Sequence, residues 1–187
     1  VTIKAYCTDE LMCNKAIDEA FHEMKAIDKL MSVYDVNSQL SIVNRHSVEK
    51  ELRIDVRIIE VLEHAKFYHE ATSGAFDVTI EPLMKLYGFR DDKAFHIFPT
   101  DKEIAEKLDS VGMNNVTINK QLSTVNFEHS NTKLDFGGIA VGYAIDRAAS
   151  ILTSHGIESA IINHSGDIYA IGAPPGEESW EVGITDP

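Results

Sequence analysis

Between positions 11 and 31 apolar residues recur every three or four places: Leu11, Met12, Ala16, Ile17, Ala20, Phe21, Met24, Ile27, Leu30 and Met31. The spacing predicts one long amphipathic helix to about Ser32, and a stripe of that length needs a second layer to cover it. Ahead of it, "VTIKAY" alternates like a strand. A second helix is expected from Asp55, a capping residue, to about Ala71, with Ile58, Ile59, Leu62, Ala65 and Tyr68 on one face. A third opens at "TDKE", where Thr100 and Glu103 have capping-box spacing, and runs to about Val111 before Gly112. "NVTIN" and "LSTVNFEH" predict a hairpin turning near Lys120 and Gln121. A fourth helix spans about 139–155, closed by Gly156, and "SAIINH", "DIYAIG" and "WEVGIT" read as three strands. Strands paired as hairpins, with helices between the sets, predict an α+β fold of mostly antiparallel sheets packed with amphipathic helices.

Of the 187 residues, 44% are hydrophobic and 25% charged, the balance of an ordinary globular chain. No apolar stretch approaches the roughly 20 residues that cross a bilayer. The chain starts at Val1 without a charged n-region or apolar h-region, so any targeting signal is expected to lie outside it. A formal net charge of -13, with 17 Lys and Arg that form no run, argues against a nucleic-acid partner. Cys7 and Cys13 can pair, but two cysteines make no disulfide framework, and the expectation is two buried thiols.

"LDFGGIAVGYAID", residues 134–146, places an aspartate and two glycines against the start of an apolar helix. Asp and Gly are poor helix formers, so helix stability does not explain them. The expected layout is a short strand end at "LDF", a turn at "GG" and a helix beyond. A helix N-terminus with unpaired amides favours an anion, and glycine lets a phosphate approach the main chain. Asp135 would repel a bare anion unless it binds a ribose hydroxyl or a nucleobase donor, or the site also holds a cation. The plainer alternative is that Asp135 caps the helix and the glycines permit tight packing.

Residues 72–89, "TSGAFDVTIEPLMKLYGF", combine a flexible turn with an aromatic, a carboxylate and a hydroxyl, then Pro82 and the cluster Tyr87, Gly88 and Phe89. Such a mixture suits a flat ligand, and equally a buried loop whose aromatics fill a core. In residues 31–44, "MSVYDVNSQLSIVN", Asn37 and Ser38 form a turn or cap, and Tyr34 offers a ring to a ligand or completes the first helix. In "NHSGDIYAIG", Asp167 occupies a tight turn between strands. Several other motifs fail on spacing. "HEMKA" lacks a second zinc-binding His, His64 and His69 are five apart, and there is no Gly-x-Ser-x-Gly elbow, Walker lysine or dinucleotide fingerprint.

In order and spacing, four stretches resemble the FAD:protein FMN transferase family, the ApbE proteins long labelled thiamine-biosynthesis lipoproteins. The family pattern "S-x-Y/W-x-x-x-S-x-L-S-x-x-N" corresponds to residues 32–44, and "G-A-F-D-x-T-x-x-P-L" to residues 74–83. "L-D-x-G-G/A-x-x-K/E-G-Y-x-x-D" corresponds to residues 134–146, and "G-G-D-x-x-x-x-G" with a strand ending in "D-P" to residues 165–187. The resemblance implies an ApbE-like (T-fold-like) architecture, with residues 1–187 a single region forming the N-terminal part of the family domain and the C-terminal part absent. It implies FAD contacts at Tyr34, Ala75, Phe76, Asp77, Asp135, Val141 and Asp167, and a main-chain oxygen for Mg²⁺ at Gly138. No catalytic residue is assigned.

The implied reaction splits FAD: a threonine hydroxyl on an acceptor flavoprotein attacks the FMN-side phosphorus and AMP leaves. The implied setting is an exported or membrane redox complex, served by a lipoprotein anchored at the periplasmic side or cell surface. The chain departs from the family pattern at Val141, where Lys or Glu is usual, at Ser165, where Gly is usual, and in lacking "M-G-T" before its first strand. Family members also continue into "H-H-I-x-D-P" and Asp/Thr segments that supply metal ligands. Two alternatives stand beside the enzyme: an FAD carrier without transferase activity, and an inactive structural fragment.

Overall fold

The computed structural model describes residues 1–46, 50–90 and 98–183. The elements run β1 (Thr2–Ala5), α1 (Glu10–Met31), α2 (Gln39–His46), β2 (Leu52–Arg53), α3 (Val56–Ala71), α4 (Glu81–Leu86), α5 (Asp101–Leu108), β3 (Val116–Asn119), β4 (Thr124–Phe127), α6 (Ala140–Ser154), β5 (Ala160–His164) and β6 (Asp167–Ile171). The fold is α+β with antiparallel sheets, as the sequence predicts. Two compact units are present, one made of Val1–Asp28 with Ala140–Pro187 and the other of Lys29–Ile139.

In the first unit the sheet order is β1-β5-β6, antiparallel throughout, with Thr2 opposite Asn163 and Ile162 opposite Tyr169. The buried stripe of α1 is Cys13, Ala16, Ala20, Met24, Ile27 and Met31, every third or fourth residue. Leu11 lies off that stripe and is 83% exposed. Helix α6 packs on β5 and β6 through a face that includes Tyr143, Ala144, Ala148 and Leu152. It closes in a Schellman motif: Gly156 has φ +77°, its N–H donates to Thr153 O at 2.9 Å, and Ile157 N–H donates to Leu152 O at 3.1 Å. Ser165 and Gly166, both at positive φ, form the two-residue loop between β5 and β6, a conformation matched to the twist of a hairpin.

Two expectations fail in this unit. Cys7 and Cys13 are a disulfide, not two thiols. The Asp9 carboxylate accepts from Leu11 and Met12 N–H, starting α1 three residues after Cys7, and the two Cα atoms lie 6.0 Å apart, a spacing a disulfide spans. Residues 180–183 of "WEVGIT" form no strand. Instead Trp180 donates its indole N–H to Ile171 O at 3.2 Å and packs on Tyr6, with ring centroids 5.9 Å apart. The end of that stretch and the closing "D-P" lie outside the described residues.

In the second unit the sheet order is β2-β4-β3, again antiparallel, with the β3–β4 hairpin where the sequence predicts it. Asp55 caps α3, accepting from Arg57 N–H at 2.9 Å, and Ile58, Ile59, Val61, Leu62 and Ala65 enter the core. Thr100 and Glu103 form the predicted capping box of α5, although the helix stops at Leu108 rather than Val111. Residues 39–46 form helix α2, capped by the Ser38 hydroxyl, which accepts from Ser41 N–H at 3.0 Å.

"LDF" is not a strand end. One parallel bridge, Ile80 to Lys133, precedes it, and the Asn44 side chain then takes the place of a partner strand. Its Oδ1 accepts from Leu134 N–H at 2.7 Å and its Nδ2 donates to Leu134 O at 2.9 Å.

Candidate functional site

The Lys29–Ile139 unit brings six of the eight predicted positions into two linked groups. Asp135, 8% exposed, anchors the first. Its N–H donates to Val78 O at 2.7 Å, fixing it beside the end of the "GAFDV" stretch. One carboxylate oxygen accepts from Gly137 N–H at 2.7 Å, so Asp135 closes its own turn and does not cap α6, which starts five residues on. The other oxygen is ion-paired with Arg90.

Arg90 is the organising cation. Its Nε donates to Glu81 Oε2 at 2.9 Å, its Nη1 donates to the Tyr34 hydroxyl at 3.0 Å, and its guanidinium carbon stands 5.3 Å from the Tyr34 ring centre. A planar fork with five donors can serve two carboxylates and a phenol at once, which an ammonium does less well. Tyr34 is 75% exposed even with the Arg90 guanidinium over its ring, which leaves aromatic surface open to a ligand. Arg90 eases the difficulty that Asp135 poses to an anion, because the carboxylate beside the glycine turn is ion-paired, although the same cation also serves Glu81.

Gly137 and Gly138 form the turn itself, and both are exposed. A Cβ on Gly138 would come within 3.3 Å of the Phe76 ring, and one on Gly137 within 3.0 Å of the Asp135 carboxylate. A side chain at either glycine would thus crowd Phe76 or Asp135 and force it to shift by a few tenths of an ångström, and the main chain at both is exposed.

Asp77 anchors the second group. Its Oδ1 accepts from Thr79 N–H at 2.7 Å and from the Thr79 hydroxyl at 2.5 Å, and Thr79 Oγ1 accepts from Gly112 N–H at 2.6 Å. His69 Nδ1 lies 3.1 Å from both Asp77 Oδ2 and Phe76 O. Both neighbours are acceptors, so Nδ1 carries the hydrogen. The Phe76 ring meets Tyr68 edge to face at 6.2 Å. Ala75, at the head of this loop, is exposed.

The other two predicted positions belong to the unit of Val1–Asp28 and Ala140–Pro187. Val141 is in the first turn of α6 and half-buried. Asp167 opens β6 opposite His164, just past the hairpin loop rather than within it, and is exposed.

Mg²⁺ prefers about six oxygen ligands in near-octahedral array. Among the described residues no group of three His, Cys, Asp or Glu can hold a metal, and both oxygens of Asp135 and of Asp77 are engaged by the protein. The described residues thus do not form a magnesium site by themselves.

Sequence reasoning missed Arg90, Glu81, His69 and the role of Asn44. Asn44 and Thr79 were within reach, since both stand in the quoted motifs. Arg90 follows "YGF" with no spacing that would connect it to Asp135.

A model of the ApbE family matches residues 1–187, and the chain belongs to that family. Among curated relatives, the FAD:protein FMN transferase of Vibrio cholerae is 28% identical over 164 residues, covering 88% of this chain and 48% of its own length. That of Haemophilus influenzae is 29% identical over 180 residues, covering 92% and 52%. Among solved structures, flavin transferase ApbE from Vibrio cholerae superposes with a TM-score of 0.83 at 27% identity, over 97% of this chain and 59% of that one. The ApbE protein of Thermotoga maritima gives 0.84 at 29% identity, over 98% and 58%. The chain spans about half the length of the curated relatives it matches.

Proposed function

We propose that this chain supplies the FAD-facing part of an FAD:protein FMN transferase. In the proposed reaction a threonine hydroxyl of an acceptor flavoprotein attacks the FMN-side phosphorus of FAD. A P–O bond to threonine forms, the pyrophosphate P–O bond breaks, AMP leaves with the bridging oxygen, and the hydroxyl proton passes to solvent or a base. Little covalent chemistry is asked of the protein, so holding the pyrophosphate in place is its main task.

The observation that carries this reading is the Arg90–Asp135 ion pair at the Gly137–Gly138 turn. A glycine-lined main chain beside an ion-paired Asp135 lets a pyrophosphate approach, and the exposed Tyr34 ring, with Phe76 beside the turn, suits a flat ring system. Mg²⁺ dependence enters the proposal from the family resemblance, with Gly138 as one ligand and the rest outside the described residues. An exported or surface location, and an acceptor in a membrane redox complex, are proposed on the same ground. The Cys7–Cys13 disulfide supports the exported location, since such bonds persist in oxidising compartments.

The test is a titration of the 187-residue chain with FAD, followed by flavin fluorescence with and without Mg²⁺. Saturable binding that weakens about tenfold or more in Asp135→Ala is expected, corresponding to ~1.4 kcal/mol. Binding indifferent to Asp135 would sink the assignment. A second reading, an FAD carrier without transfer, is favoured by Val141, because an apolar side chain brings no charge to a pyrophosphate. AMP release from FAD in the presence of an acceptor peptide eliminates it; release seen only after Val141→Lys establishes it.

A further inference from the structure

A second concave site lies within the Lys29–Ile139 unit, a cleft of about 570 Å³ walled by α2, α4, Lys107 of α5 and the segment of Asn131 and Lys133. Its charge is opposite to that of the molecule. The chain carries -13 overall, yet among the described residues Arg45, Lys85, Lys107 and Lys133 line this cleft against one carboxylate, Glu81, which Arg90 engages at 2.9 Å. Among the described residues none of the three lysines has an ion-pair partner.

Lys133 donates to Asn44 O, and its burial lowers its pKa by desolvation, so the fold holds an ammonium where it is poorly solvated. Arg45 donates one N–H to Val36 O at 2.8 Å and keeps the rest of its fork. Converging cations repel one another, and an acidic protein has ample carboxylates with which to neutralise them. Among the described residues it supplies none beyond Glu81. The rest of the lining joins an apolar strip, Val33, Val36, Pro82 and Leu86, to the polar side chains of Ser41, Asn44 and Asn131.

We propose that this cleft binds a phosphorylated small molecule of nucleotide size, with the phosphate among Lys85, Lys107 and Lys133 and the body on the apolar wall. The volume falls in the range of small-molecule pockets, about 300–1,000 Å³, and lysine is a common point-charge ligand for phosphate. An acidic peptide fits less well, because its own backbone polar groups would be laid on Val33, Val36 and Leu86. The cleft adjoins the flavin-facing turn without being part of it. Glu81 lines the cleft and pairs with Arg90, while Lys133 stands two residues before Asp135.

The proposal is tested by isothermal titration of the 187-residue chain with AMP and with inorganic pyrophosphate, at low and at physiological salt. Lys85→Gln/Lys107→Gln alters two side chains with no ion pairs and should fold normally, which thermal melting checks; Lys133→Gln is the second variant. Saturable binding of both probes is expected, falling with salt and about tenfold or more weaker in the double variant. FAD affinity of that variant should stay within about twofold of the parent, well inside the ~1.4 kcal/mol that a tenfold change represents. The proposal is overturned by absence of binding, or by binding that ignores both variants. Competition of AMP with FAD would merge the cleft with the flavin site, and a polyglutamate peptide binding more tightly than AMP would make it a protein-docking surface; each also overturns it.

Discussion

A buried carboxylate next to a glycine turn is costly unless a cation answers it, and Arg90 is that cation for Asp135. Removing one member of such a pair leaves the other uncompensated. Arg90→Ala is therefore expected to destabilise the chain by about 3–4 kcal/mol, the lower part of the buried-pair range applying because the arginine keeps some exposure to water. Arg90→Lys should recover only part of that, since a single ammonium cannot span Asp135, Glu81 and the Tyr34 hydroxyl together. Urea denaturation of the three proteins measures both steps, and equal stability of Arg90→Ala and the parent would refute the account. At this scale, what the sequence disclosed was uneven. Asp135 was visible because "LDFGG" is locally odd for a helix start, whereas Arg90 acts through a contact that no spacing rule encodes. His69 was noted only for failing a zinc-site spacing, and its bond to Asp77 comes from the turn at residues 72–75.

Elements with a strong period were the legible ones. Helices α1, α3, α5 and α6 and the two hairpins follow from apolar spacing, caps and turn residues that all agree. Helix α2 was not anticipated because "LSIVN" carries two β-branched residues, and its formation rests on Ser38 accepting from the main chain. "WEVGIT" alternates well enough, but a strand needs a partner edge, and Trp180 is instead held by its indole. The start of α1 carries its own prediction. The disulfide closes a very short loop there, so breaking it should cost about 2 kcal/mol through unfolded-chain entropy. Cys7→Ser/Cys13→Ser is expected to unfold at correspondingly lower urea, and adding dithiothreitol should bring the parent to the same midpoint. A parent that ignores reductant while unfolding like the variant would show that the two cysteines are not paired.

For the whole molecule, two electrostatic effects of opposite direction act on acidification. The formal charge of -13 at pH 7 makes the folded chain repel itself, and this eases towards the isoelectric point near 4.9. Against it stand carboxylates whose ionised form the fold favours. Asp55 lies below its ordinary value through hydrogen bonds from the Arg57 side chain, Glu103 through the N–H and hydroxyl of Thr100, and Glu19 through the bond from His155. In each case the unfolded chain binds the proton more tightly. Their stabilisation is complete above the unfolded values of 4.5 for glutamate and 3.8 for aspartate, and is lost as pH falls below those values and through the lower folded ones. The melting temperature should thus hold or rise from pH 7 to about 5.5 and then fall below about 4.5. Added salt should flatten the upper limb, where screening replaces charge loss, and act less on the acid limb's partly buried Asp55–Arg57 pair than on the exposed Glu19–His155 pair. Asp55→Asn/Glu103→Gln discriminates between the causes: it should lower stability at pH 7 and make the acid limb shallower. An acid limb of unchanged steepness in that variant would assign the loss to carboxylates other than Asp55 and Glu103.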